Sequence, residues 1–165
     1  LGLPKEWLVS NPEDPNFKKA MAELGKDNPN LPSMVNQKYY FMALSTKPKD
    51  NFSDNVNIIK SQAKMDIPMT EDSAKQLAAQ MKTMMPGAAA PEVKLVQFPV
   101  GSAFRYQTNM KFNTGKNSTF ETYLVGYLLF KDHQQYVVTF STIPKRKDKF
   151  PELADLAMST FEIKQ

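Results

Sequence analysis

From Ser102 to Phe112 the side chains alternate in character. Phe104, Tyr106, Met110 and Phe112 fall on one parity, and Arg105, Gln107, Asn109 and Lys111 on the other. Successive side chains of an extended chain point to opposite faces, so a period of two predicts a long β-strand. Asn113, Thr114, Gly115 and Lys116 then supply turn residues, with Gly115 free to take a positive φ. A second run, Ser118–Phe130, is rich in Tyr, Leu, Val and Thr, and Lys131-Asp132-His133 reverses the chain into a third, Gln135–Thr142. Strands joined in this way form a β-meander, and the remainder of the chain reads as cover for it.

Upstream, a short strand is predicted around Trp7–Ser10, after the Pro4 break. Its Trp7, beside Leu8 and Val9, reads as core and not as an interface anchor. Asp14 is placed to cap a helix and Pro15 to begin it. Phe17, Ala20, Met21 and Leu24 follow at helical spacing and Gly25 ends it, giving a helix over Pro15–Leu24. Lys26–Asn36, broken by Pro29 and Pro32, is a loop. Gln37–Ser45 is apolar on both alternations, as a strand covered on two faces should be, and Val56–Ser61 returns beside it. Thr70 caps a second helix, Glu71–Met84. Its first turn carries Glu71 and Asp72, its stripe is Ala74, Leu77, Ala78, Met81 and Met84 or Met85, and Pro86-Gly87 stops it. Val93–Phe98 leads into the meander. After it, Pro144–Phe150 is a charged connection, and Pro151 starts a last helix carrying Leu153, Leu156, Ala157 and Phe161.

The element order is therefore β-α-β-β-α-β-β-β-β-α. Hairpin-linked strands with interspersed helices predict an α+β chain, and strands apolar on both sides predict cover on both sheet faces. The expected architecture is a three-layer α/β/α sandwich around a central antiparallel sheet. The 165 residues suffice for a self-supporting core, read as one domain over 1–165.

Few catalytic constellations can be assembled. With no cysteine, disulfides, thiolate metal sites and thiol nucleophiles are excluded. His133 is the only histidine and sits in a turn, where it reads as solvated; zinc needs three or four ligands and it has no histidine or cysteine to join it. No nucleophile elbow and no Gly-rich phosphate loop is present. The carboxylate pairs Glu13/Asp14 and Glu71/Asp72 stand at helix starts, where capping accounts for them. Ten methionines invite a copper reading, but several occupy core-facing helical positions, where Met fills gaps. No catalytic, cofactor-binding or metal residue is therefore assigned, and no cofactor is expected. The densest charge cluster, Lys145-Arg146-Lys147-Asp148-Lys149, reads as a solvated loop or as a surface for an acidic protein, an anionic lipid headgroup or a nucleic acid. Its candidate partner-binding residues are Lys145, Arg146, Lys147 and Lys149.

The segment Asn51–Ile59, preceded by a strand containing Ala43-Leu44, resembles the PsbP-like superfamily. So do Pro4-x-x-Trp7, the Tyr136-Val137-Val138-Thr139 strand and the closing Ser159-Thr160-Phe161. That superfamily takes its name from an extrinsic photosystem II subunit, and it includes a Ran-binding protein and many bacterial envelope lipoproteins. The resemblance implies an α/β/α sandwich around an antiparallel sheet, no shared catalytic residues, and a role in binding or assembly. Asn51–Ile59 reads on its own as a structural clasp, with Phe52, Val56 and Ile58 inward, or else as a ligand site. The chain opens on Leu1, which reads as processed or trimmed. With the resemblance, this gives an expected address in the cell envelope and an upstream signal peptide or lipid-attachment cysteine. The expected function is a non-catalytic binding or assembly module with a protein partner. No nucleic acid is expected, nor any membrane contact beyond such an upstream anchor. The alternative is a small-molecule-binding or hydrolytic enzyme. For that, Glu121, Tyr123 and Tyr127, with His133 as a further candidate, would have to converge in a pocket between sheet and helices.

Overall fold

The computed structural model describes residues 1–10, 39–46, 52–63, 67–84, 88–113 and 119–163, together with Pro15 and Lys19. Its strands are β1 (Trp7–Ser10), β2 (Tyr39–Ser45), β3 (Asn55–Gln62), β4 (Glu92–Phe98), β5 (Gly101–Asn113), β6 (Thr119–Lys131) and β7 (Gln134–Thr142). Two helices, α1 (Glu71–Met84) and α2 (Phe150–Ser159), and a 3-10 turn at Pro144–Arg146 complete the described elements. Of the helix predicted at Pro15–Leu24 only Pro15 and Lys19 are described, both helical; the rest of it and the Lys26–Asn36 loop lie outside the described residues.

All seven strands join one sheet in the order β1-β2-β3-β7-β6-β5-β4. Every neighbouring pair is antiparallel. The meander β5-β6-β7 is its centre and β3 is inserted beside β7, with Val56 opposite Phe140 and Ile58 opposite Val138.

Alternation along the strands divides the core in two. On one face Tyr123, Val125, Tyr127 and Leu129 of β6 join Val138 and Phe140 of β7 and Val56 and Ile58 of β3. They pack against Phe150, Ala154, Ala157 and Met158 of α2 and against Phe161 beyond it. On the other face Phe104 and Leu128, directly opposite each other in β5 and β6, pack with Ala74 and Leu77 of α1. Burying one such large side chain contributes about 1.5–3 kcal/mol, so neither face is left bare. The result is the α+β, three-layer arrangement that the two-sided apolar strands predict. Trp7 is partly buried against the α2-side core.

The last helix differs from its predicted form: it begins at Phe150 and ends at Ser159, so that Phe161 lies beyond it, and its docking face is another one. Leu156 is 70% exposed, and Phe150, assigned to the preceding connection by sequence, is buried. The face that docks is Phe150, Ala154, Ala157 and Met158. Two alanines let the helix axis approach the sheet more closely than a leucine stripe would.

The β6–β7 turn is a two-residue loop. Lys131 pairs with Gln134, and both central residues take positive φ, Asp132 at 51° and His133 at 60°. That is the pattern of a type I′ turn, whose twist matches that of the flanking strands. The Ala63 N–H donates to the His133 carbonyl (2.9 Å), tying the tip to the end of β3.

Candidate functional site

Ionisable side chains converge where α2 crosses β5 and β6. Alternation puts Arg105 and Gln107 of β5 on the same face as Tyr123 and Tyr127 of β6, and α2 lowers Asp155 onto them. Arg105 Nε donates to Asp155 Oδ1 at 2.9 Å and the Tyr127 hydroxyl to the same oxygen at 2.6 Å. Gln107 extends the seam. Its Oε1 accepts from the Tyr123 hydroxyl (3.0 Å) and from Arg105 Nη1 (3.4 Å), and its Nε2 donates to Glu92 Oε2 (3.0 Å). Lys94 closes the line, its Nζ 2.6 Å from Glu92 Oε1. The inner end is buried and the outer end wet: the Arg105 side chain is 14% exposed and that of Glu92 53%.

Electrostatics follow from this layout. Burial pushes the Tyr127 hydroxyl pKa far up, and its bond to the Asp155 carboxylate adds to the shift. Burial raises Tyr123 too. Burial pulls Arg105 down, but the hydrogen bond and charge of Asp155 outweigh it and leave its pKa above the ordinary value. The hydrogen bond and charge of Lys94 lower Glu92. Each shift stabilises the protonation state that the neighbouring group needs.

A second polar group holds the sheet's end. Asp54 Oδ1 accepts from the Thr142 hydroxyl (2.6 Å) and from Arg146 Nη2 (2.9 Å), which also donates to the Phe52 carbonyl (3.3 Å). It joins the entrance of β3, the exit of β7 and the 3-10 turn. Val56 and Ile58 are buried behind it, and Asn55 Nδ2 donates to the Ser53 carbonyl (3.3 Å). Within the described residues, the 52–59 part of the segment that reads as a clasp or a ligand site is built as a clasp.

The basic run is thereby split. Arg146 is turned inward onto Asp54, while Lys145, Lys147 and Lys149 are exposed. The residues named for a hydrolytic pocket are split as well. Tyr123 and Tyr127 lie in the seam, Glu121 pairs across to Lys111 further along β6, and His133 sits at the β6–β7 tip. A concavity of about 420 Å³ at that tip is lined by Phe130, Lys131, Asp132 and His133. Among the described residues no three of His, Asp and Glu cluster as a metal-ligand set, and no described helix is long and apolar enough to cross a membrane. Sequence reasoning missed Glu92, Lys94 and Asp155 as members of the seam. Arg105 and Gln107 carried the one available signal, two polar groups on the parity of a strand expected to be covered on both faces.

The class defined by this architecture is a PsbP-like α+β sandwich. The fold is shared with PA94, a protein of unknown function from Pseudomonas aeruginosa (TM-score 0.59, 14% identity, 79% of this chain and 85% of that one). It is also shared with LpqN of Mycobacterium tuberculosis, described as involved in cell envelope biogenesis (TM-score 0.55, 13% identity, 97% and 79%). Cyanobacterial PsbP from Synechocystis matches with TM-score 0.51 and 11% identity over 98% and 84%. At such identities the likeness is one of fold. No family model matches the chain, and no curated protein matches it in sequence.

Proposed function

We propose that the protein is a non-catalytic binding or assembly module of the cell envelope that acts through a protein partner. One observation carries this reading: the seam of ionisable groups under α2 is closed on itself. Arg105 is matched by Asp155 and Lys94 by Glu92. The two tyrosines keep their protons, and Arg105 its charge, through the neutral range. Efficient proton transfer needs a group poised near the working pH, and these are held away from it. The seam instead docks α2. LpqN, which shares the fold, adds support through its described part in cell envelope biogenesis.

The test is fractionation and crosslinking of the tagged full-length protein in its source organism. The expected result is recovery with the envelope and a crosslink to one protein. Recovery in the cytosol would overturn the reading. So would a turnover by purified protein that Asp155→Asn abolishes while the circular dichroism spectrum stays native.

A further inference from the structure

The turn between β7 and α2 is held rigidly at both ends. Ile143 and Phe150 are buried on either side of it. Backbone bonds run from Arg146 N to the Ile143 carbonyl (3.0 Å), from Lys147 N to Pro144 (3.3 Å) and from Phe150 N to Lys147 (3.3 Å). Arg146 is its inward pin. What the turn presents outward is Lys145, Lys147 and Lys149, with the carboxylates of Asp148 and Glu152 in the same stretch.

At Lys149 local helix stability argues for a different residue. Lys149 is the residue at the cap of α2, and it makes no side-chain cap hydrogen bond. A cation there faces the positive end of the helix dipole, where an acidic or capping residue would stabilise the helix. Lys147 adds a second cation two residues upstream. Sequences that break a local rule without a structural return tend to do so at functional surfaces.

The kind of cation narrows the partner. Arginine, with its planar fork, suits specific protein interfaces, and here it is spent on the interior. The outward cations are all lysines, compact charges suited to a diffuse field. The aromatic residue of the turn, Phe150, is buried, so the turn itself presents no exposed ring of the kind that dominates protein–protein hot spots. We infer that Lys145, Lys147 and Lys149 form a peripheral contact with an anionic lipid surface, drawn by charge and without insertion. The inference rests on the envelope reading above and gives the module a membrane-facing side. A lysine near an anionic bilayer contributes about fivefold in partition, and Asp148 and Glu152 reduce the sum.

The test is cosedimentation of the purified protein with vesicles of phosphatidylcholine, with and without phosphatidylglycerol, at low and high salt. Binding is expected only with phosphatidylglycerol, with release by high salt. The triple variant Lys145→Gln/Lys147→Gln/Lys149→Gln should lose about tenfold or more of the partition. A control with Lys75→Gln/Lys82→Gln/Lys111→Gln, exposed lysines elsewhere, should keep it. Lys149→Glu should bind less while melting no lower than the parent, which separates a membrane contact from a structural role. No binding, equal binding to pure phosphatidylcholine, or an equal loss in the control would overturn the inference. So would lysine-dependent binding to an oligoglutamate peptide without binding to phosphatidylglycerol vesicles, which would assign the surface to an acidic protein. Each of these outcomes leaves the fractionation result standing, and cytosolic recovery of a vesicle-binding protein would remove the envelope reading alone.

Discussion

Gly126 lies in the middle of β6, where every neighbour from Thr122 to Leu129 is buried. It stands directly opposite Tyr106 in β5 and Thr139 in β7. A Cβ added to it would fall on the Tyr106 ring. The missing side chain lets that ring lie across the strand, and the Tyr106 hydroxyl hydrogen-bonds Thr139 on the far side. Gly126→Ala should therefore destabilise the protein by about 1–3 kcal/mol, the usual range for overpacking a filled core. In a Tyr106→Leu background the same change should be nearly silent, so urea denaturation of the four species should show strong coupling. Additive effects would mean that the ring does not occupy the space. A glycine inside an apolar strand is legible in sequence as a place where something approaches closely. The identity of the approaching residue is not, because it depends on the β5–β6 register. The seam was hidden for the same reason: Asp155 is 50 residues from Arg105 in the chain, and only the docking of α2 makes them neighbours.

At the scale of elements, legibility followed local chemistry. The bounds of α1 are those predicted, and Thr70 Oγ1 accepts from the Ser73 N–H (3.2 Å) as a cap should. The strands of the meander fall within a residue of their predicted limits because alternation and turn residues mark them. The face of α2 was less legible. Leu153, Leu156 and Phe150 compete for the core on hydrophobicity alone, and the decision falls to the shape of the sheet that receives them. The β6–β7 turn shows the reverse case, since its position was readable but its strain was not. Asp tolerates the left-handed region better than His does, and neither does so as easily as glycine. His133→Gly would create the Asp-Gly pair favoured in type I′ turns. It should stabilise the protein by about 0.5–1 kcal/mol, read as a higher urea midpoint at unchanged slope. A lower midpoint would show that the His133 side chain contributes more than its backbone strain removes.

At the scale of the molecule, the sheet order was only half readable. Local signals establish β5-β6-β7, but the insertion of β3 beside β7 pairs Asn55 with Ser141 across half of the chain. No local pattern encodes that. What the finished sandwich does is enclose tyrosines between its layers. Burial raises the pKa of Tyr106 and Tyr127 above their ordinary value of 10.0, and the Asp155 carboxylate pushes Tyr127 further. In the unfolded chain these hydroxyls lose their protons near pH 10, whereas in the folded protein they keep them. Above about pH 10 the folded state therefore binds more protons than the unfolded one, and stability falls as pH rises. The contribution is complete below that pH and is lost as pH climbs toward the folded-state values. Each buried hydroxyl should steepen the decline by up to about 1.4 kcal/mol per pH unit. Urea midpoints measured from about pH 9 to about pH 11 should drop accordingly, and less steeply in Tyr127→Phe. Lysines titrate in the same window, so the decisive reading is optical. The tyrosinate absorbance of the buried rings should appear in the same step as loss of the β-sheet circular dichroism signal. Complete ionisation of the tyrosines in a protein that keeps its sheet would show that the layers are open enough to hydrate them, and the closed seam beneath α2 would have to be abandoned.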